Sequence, residues 1–317
     1  MKEGVFGSTF QGTMQFVPCH ILSLSEEGLT KYTEIAASLA YLSKLHHPLL
    51  LGILAAANSE AQLKYLVEAQ PVQGSLRRRL DLEGGLPSLQ WATRFKIAGQ
   101  CVSALLMLAT LHLERPFLPW ILLRSEDVRL ANEYDAKISL LGALEARADL
   151  FAPGNQGYLA PELRGEQQDA EVTEKAAVFS LGVLLGELLT GQRAVLTKPA
   201  GRHLSNALLE RHHFFSDHDS MVDEMVCREW PKASRDAFLE VIITCLRPDA
   251  AGRPTLTEVF RRLKAVGTLA VDSCAVCYSS PASVLTTCNH KILCRVCYAT
   301  SSEGGLGCPL CGSPLSK

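Results

Sequence analysis

An α+β fold in two lobes, followed by a small cysteine-rich module, is what this sequence predicts. Three observations carry that expectation. Strand-like segments come first and helix-length apolar periodicities come later, the order of an α+β domain. The 317 residues are 47% hydrophobic and 20% charged, which supplies a large core and about two ordinary domains. Seven of the eleven cysteines (Cys274, Cys277, Cys288, Cys294, Cys297, Cys308, Cys311) crowd the last 47 residues, and Cys19, Cys101, Cys227 and Cys245 are scattered before them. Charge does not divide the chain in the same way, so the tail is marked by its sulfur.

Taken in order, residues 1–22 read as short extended segments punctuated by Gly4, Gly7 and Gly12, then Phe16-Val17 and Ile21-Leu22 around Pro18. Only three residues precede Gly4, so the first strand of the small lobe is expected to be nearly absent, through truncation or degeneracy. Residues 27–46 place Ile35, Leu39, Leu42 and Leu45 on one helical face. Strands are expected at 50–56 and 62–67. A long helix is expected at 88–113, opened by Pro87-Ser88. Strands at 128–130 and 136–141 come next, then a buried helix at 174–189 ended by Thr190-Gly191. Helices at 234–245 and 256–266 complete the larger part. Arg77-Arg78-Arg79 is expected to be a solvated helix face, and His212-His213 a surface helix or loop. The tail has too few large apolar residues to fold unaided.

A formal charge of −2 gives no overall pull toward nucleic acid or anionic membrane. The start, Met1-Lys2-Glu3-Gly4, has no signal-peptide apolar region, and the longest apolar stretch, 48–57, is too short to span a bilayer. A cytoplasmic or nuclear location is expected, where thiols stay reduced and clustered cysteines bind metal rather than pair.

The tail spacing is Cys274-x-x-Cys277, Cys288-x-His290, Cys294-x-x-Cys297 and Cys308-x-x-Cys311. Each Cys-x-x-Cys can turn two thiolates toward one ion, and zinc takes four nitrogen or sulfur ligands. Seven cysteines and one histidine make two closed structural sites, hence two zinc ions per chain. With the histidine fourth among the ligands, the pattern resembles a C3HC4 RING finger. That resemblance implies interleaved chelation, with Cys274, Cys277, Cys294 and Cys297 on one zinc and Cys288, His290, Cys308 and Cys311 on the other. It also implies an apolar groove for a ubiquitin-conjugating enzyme, with Val276, Pro309 and Leu310 at the matching positions. The groove tryptophan often present is Ser301 here, and the basic residue that often follows the last ligand is Gly312.

Before the tail, ordered motifs resemble a protein kinase domain of the plant receptor-like (Pelle-type) group. They are Gly4-x-x-Gly7 with Gly12, Leu45-His46-His47-Pro48, Gly74-Ser75-Leu76, Trp91-x-x-Arg94-x-x-Ile97-Ala98, Gly157-Tyr158-Leu159-Ala160-Pro161-Glu162, Val178-Phe179-Ser180-Leu181-Gly182 and Arg253-Pro254. The resemblance implies an ion pair between Arg253 and Glu162. Phosphoryl transfer needs a lysine on the phosphates, a metal-holding carboxylate and an aspartate that orients the nucleophile. Aligned from neighbouring motifs, the lysine falls on His20, the C-helix glutamate on Ser38 (Glu34 lies one turn earlier), the catalytic aspartate on Leu122, the magnesium-binding asparagine on Asp127 and the metal-binding aspartate on Leu140. The F-helix aspartate falls on Ala177. ATP and magnesium are therefore not expected, and no residue is assigned a catalytic role.

The expected organisation is an inactive kinase-like domain (a pseudokinase) over 1–267 and a RING domain over 268–317. The expected function is a RING-type ubiquitin ligase. Its partners would be a ubiquitin-carrying conjugating enzyme and an unidentified protein substrate recruited by the kinase-like domain, with RING-mediated pairing to a second copy as an option. The alternative is a non-catalytic scaffold whose zinc module mediates pairing; a third reading is residual ATP-dependent kinase activity.

Overall fold

The computed structural model describes residues 2–4, 7–26, 38, 40–41, 44, 47–59, 62–114, 120–164, 171–197, 200–214, 219–266, 283–286, 291–303 and 314–315. A five-stranded antiparallel sheet, in the order β1-β2-β3-β6-β5, forms the small lobe. Its strands are β1 (Lys2–Gly4), β2 (Gly7–Met14), β3 (Val17–Leu24), β5 (Ile53–Ser59) and β6 (Gln62–Ala69). The nearly absent first strand is present as three residues, with Glu3 opposite Ser8. In β3, Leu22 and Leu24 are buried on one face and Cys19 on the other, while Val17 and Pro18 at its start are exposed. Most of the expected 27–46 helix lies outside the described residues.

The larger lobe opens with α1 (Leu76–Leu80), capped by the Ser75 hydroxyl, which accepts from the Arg78 N–H. The long helix α2 (Trp91–Glu114) starts three residues later than the Pro87-Ser88 signal suggests. It is long and apolar enough to cross a membrane, but 83% of that stretch is buried within the fold. A three-stranded sheet sets β8 (Ala136–Ser139) between β4 (Leu50–Leu51), which runs parallel to it, and β7 (Val128–Leu130), which runs antiparallel. The strand expected at 136–141 stops at Ser139, whose hydroxyl accepts from the Gly142 N–H and caps α3 (Leu140–Ala148).

The centre of the lobe is α4 (Glu174–Thr190), buried without a break from Ala176 to Thr190. Thr173 caps its start, and Gly191 ends it in the left-handed region at φ 69°, as the Thr190-Gly191 signal predicts. Around it lie α5 (Leu204–Phe214), α6 (Glu224–Cys227), α7 (Lys232–Cys245) and α8 (Leu256–Ala265). A Cβ on Gly182 would meet the Cys245 Cβ at 2.7 Å, so only glycine lets α4 and α7 approach so closely. Each buried leucine here contributes roughly 1.5–3 kcal/mol through its removal from water. In the tail, β9 (Val284–Leu285) pairs antiparallel with β10 (Lys291–Leu293), followed by α9 (Arg295–Glu303).

Candidate functional sites: the interlobe cleft and the zinc module

His20 sits in β3 directly opposite Glu68 of β6, so both side chains belong to one face of the small sheet. His20 is half-buried and Glu68 is buried. Glu68 Oε2 accepts from the Ser139 hydroxyl at 2.7 Å, a bond that ties the small sheet to the end of β8. Burial pushes the Glu68 carboxyl up to about 7, against the Ser139 hydrogen bond and the charge of Arg129. Sequence reading passed over Glu68. Its one signal is a carboxylate set in the apolar run Leu66-Val67-Glu68-Ala69. Ser38 is buried, and Glu34 lies outside the described residues.

Leu122 and Leu140 are both fully buried, and Ile121, Leu123 and Leu141 beside them are buried too. Neither position offers an oxygen to a metal or a hydroxyl. Asp127, five residues after Leu122, is a buried carboxylate between them, and both its oxygens are taken by Arg124: Nε to Oδ2 at 2.7 Å and Nη2 to Oδ1 at 2.8 Å. The same guanidinium donates to the Gly142 carbonyl at 3.2 Å and to Asn155 Oδ1 at 2.9 Å. Burial works against the Arg124 charge, and the attraction of Asp127 outweighs it, so its pKa rises. Where the F-helix aspartate would hold the loop, the Ala177 position has no side-chain acceptor. Ser180 on the next turn of α4 accepts from the Leu123 N–H at 3.2 Å instead.

The supporting contacts are intact. Arg253 grips Glu162 through two bonds of 2.7 Å, as the motif resemblance implies, and fills its remaining donors with the carbonyls of Arg247, Lys175 and Pro248. Partial burial pushes the Glu162 carboxyl up, and the Arg253 hydrogen bonds outweigh that and hold it below the usual range.

The arginine run is a correction. Arg78 is exposed, but Arg77 and Arg79 are buried. Arg77 pairs with the fully buried Glu187 at 2.9 Å and donates to the carbonyls of Gln192 and Gly191. Glu187 also accepts from Tyr158 Oη at 2.7 Å, and burial pushes its carboxyl up to about 7 against the pull of Arg77. Three arginines in sequence look solvated, but a helix turns them onto different faces. His212 lies near the end of α5 as expected, and the fold brings Glu240 within 2.9 Å of it, a carboxylate invisible to local spacing.

Of the eight tail ligands, Cys294 and Cys297 are among the described residues. Cys274, Cys277, Cys288, His290, Cys308 and Cys311 lie outside them, as do Val276, Pro309, Leu310 and Gly312. Cys294 directly follows β10, and Cys297 sits in the first turn of α9; both are buried. The Cys297 N–H donates to Cys294 Sγ at 3.4 Å. A backbone donor on the sulfur stabilises thiolate, the form that binds zinc, so this pair fits the ion. Among the described residues no three metal-binding side chains form a cluster. Ser301 is in α9.

Comparison with known proteins matches both parts. A protein kinase domain family model covers residues 3–263, and a zinc finger, C3HC4 type (RING finger) model covers 271–317. Among curated relatives, the probable serine/threonine-protein kinase PBL25 of Arabidopsis thaliana is 29% identical over 280 residues, 84% of this chain and 71% of the relative. A probable LRR receptor-like serine/threonine-protein kinase of Arabidopsis thaliana is 26% identical over 280 residues, 85% of this chain. The LRR receptor-like serine/threonine-protein kinase IOS1 of the same plant is 26% identical over 277 residues, 83% of this chain. The chain spans about a third of the length of these two receptor-like relatives, 31% and 30%. With its fold, its Arg253–Glu162 pair and these matches, the chain belongs to the protein kinase domain family and carries a C3HC4-type RING finger behind that domain.

Proposed function

We propose that this protein is a RING-type ubiquitin ligase whose kinase-like domain recruits or regulates a substrate and does not transfer phosphate. The observation that carries this reading is the pairing of a C3HC4 ligand set with a kinase fold whose two catalytic aspartate positions are buried leucines. In this reading the chain divides at about residue 267. Two zinc ions are held, one by Cys274, Cys277, Cys294 and Cys297 and the other by Cys288, His290, Cys308 and Cys311. Zinc here supplies folding energy to a segment with little core of its own. Val276, Pro309 and Leu310 then present an apolar surface to a ubiquitin-conjugating enzyme. The thioester chemistry stays on the partner, and the RING contributes position and restraint. Cytosol or nucleus is the compartment this reading requires.

Purified chain mixed with activating enzyme, ubiquitin and a panel of conjugating enzymes is expected to build ubiquitin chains, and Pro309→Ala to reduce them at least tenfold. No chains with any partner would sink the ligase reading. Zinc chelation is expected to abolish the activity and unfold the tail, and metal analysis to count two zinc ions. In the same preparation, labelled phosphate from ATP should not appear on any protein. Its appearance, lost on Asp127→Asn, would restore the kinase activity named in the curated relatives.

Ser301 and Gly312 favour a second reading, in which the zinc module is a scaffold that pairs with another RING protein. Ubiquitin chains formed only after such a partner is added would select it.

A further inference from the structure

Four oxygens converge on the Arg124 guanidinium: Asp127 Oδ1 and Oδ2, Asn155 Oδ1 and the Gly142 carbonyl, at 2.8, 2.7, 2.9 and 3.2 Å. They come from three segments, namely the loop before β7, the first turn of α3 and the turn before Tyr158. Asp127 and Asn155 are almost completely buried, at 2% and 1% exposure. A carboxylate, an amide oxygen and a backbone carbonyl are the donors that hard cations such as magnesium and manganese take.

The set is held by contacts that do not involve Arg124. The Asp127 carbonyl accepts from the Ser139 N–H at 2.8 Å. The Asn155 side-chain amide donates to the carbonyls of Ala146 and Asp149 at 3.0 and 2.6 Å, which turns its oxygen toward the guanidinium. A Cβ on Gly142 would lie 2.5 Å from Asp127 Oδ1, so the carboxylate occupies its place only because residue 142 is glycine.

We propose that Arg124 is the resident cation of a hard-cation site, a tethered guanidinium standing where a hydrated divalent ion would otherwise bind. Each oxygen lies at hydrogen-bond distance from a guanidinium nitrogen, so a magnesium ion in place of that group would be held partly through its own waters, as magnesium commonly is. Covalent attachment keeps the guanidinium at the site at an effective concentration that a free ion must compete with. The native lobe is therefore indifferent to divalent ions, and removal of the guanidinium opens the site to them. This inference stands on the cleft geometry and is independent of the ligase reading.

The test uses the full chain with its zinc bound and follows thermal unfolding by tryptophan fluorescence. Magnesium chloride is compared with potassium chloride at equal ionic strength, and manganese binding is read by electron paramagnetic resonance. The native midpoint should be the same in both salts. Arg124→Ala should be less stable in potassium chloride, rise by about 2–4 °C in magnesium at roughly ten times its dissociation constant, and bind one manganese. Adding Asp127→Asn to that variant should remove both responses. A folded Arg124→Ala that binds no manganese and ignores magnesium would overturn the proposal. So would native protein that binds manganese through Asp127. If Arg124→Ala does not fold in potassium chloride, magnesium in the refolding buffer should rescue it, and failure of that rescue also overturns the proposal.

Discussion

Two buried regions of the large lobe treat charge in opposite ways. Around Arg253 the ion pair with Glu162 is complete, because every guanidinium nitrogen has an acceptor. At Leu122 and Leu140, which the motif alignment sets against the carboxylates of phosphoryl transfer, the side chains are apolar and packed. Desolvating a charge costs several kcal/mol unless the partner and all remaining hydrogen bonds are present. The comparison teaches that this interior meets most of its buried charge with a partner of opposite sign. Arg124–Asp127 and Arg77–Glu187 follow that pattern, although Arg77 Nε has no acceptor among the described residues. Glu68 has the Ser139 hydroxyl in place of a guanidinium, and burial pushes its pKa up.

The sharpest way to break the comparison is Leu140→Asp, which returns the carboxylate to the apolar side. It should cost about 4 kcal/mol or more, because it puts a carboxylate in a fully buried apolar position where the Arg124 guanidinium is already paired with Asp127. Chemical denaturation followed by tryptophan fluorescence reads this cleanly, since Trp91, Trp120 and Trp230 all precede the tail. Stability near the native value would show that the position reaches water. Arg253→Met approaches from the paired side. It leaves the exposed Glu162 carboxylate without its partner, takes the donors from the carbonyls of Arg247, Lys175 and Pro248, and strips an arginine from the face of Phe179, for an expected loss of about 1.5–3 kcal/mol. A loss under about 1 kcal/mol would reduce the pair to a surface contact.

Glu68→Gln should move stability the other way. The Glu68 carboxyl titrates at about 7 in the fold, above its ordinary value of 4.5. The native state therefore holds this proton more tightly than the unfolded chain does. Its contribution is complete below pH 4.5 and is lost as the pH rises to about 7. At pH 8 the glutamine variant should be more stable by about 2 kcal/mol, and its stability should fall less between pH 5 and 7 than the native protein's. Part of that fall remains in the variant, because Glu187 titrates in the same window. An unchanged pH profile would show that Glu68 is not a buried carboxyl of this kind. Smallest of all is Arg78→Ala. Arg78 pairs with Glu83 in solvent, so the change should stay within about 0.5 kcal/mol, and a larger loss would contradict the exposed placement of the middle arginine.

Much of this was legible from local pattern. The end of α4 at Gly191 and the short strands of the small sheet follow from signals within a few residues of one another. The four scattered cysteines read as ordinary buried thiols, and Cys19, Cys101 and Cys245 are buried, whereas Cys227 is only half-buried. The Glu162 and Arg253 assignments were reached through ordered motifs, although the pair joins residues 91 apart. What escaped the sequence had partners that no window contains. Arg77 reaches Glu187 across 110 residues, and Glu68 reaches Ser139 across 71. The strand read at 136–141 failed for a local reason, since Ser139 caps a helix where the apolar run looked extended.

The sequence alone determined the kinase-domain and RING-finger organisation and the spacing of the tail cysteines and histidine, because each is a matter of residue type at short range. Tertiary structure alone decided which charges are buried and what satisfies them. Arg124 shows why: its link to Asp127 is three residues long, but the fold adds Asn155 and the Gly142 carbonyl that make the guanidinium a closed site. Hydrophobic pattern and ligand spacing act through neighbours along the chain, whereas compensating a buried charge depends on whichever group the fold carries to it.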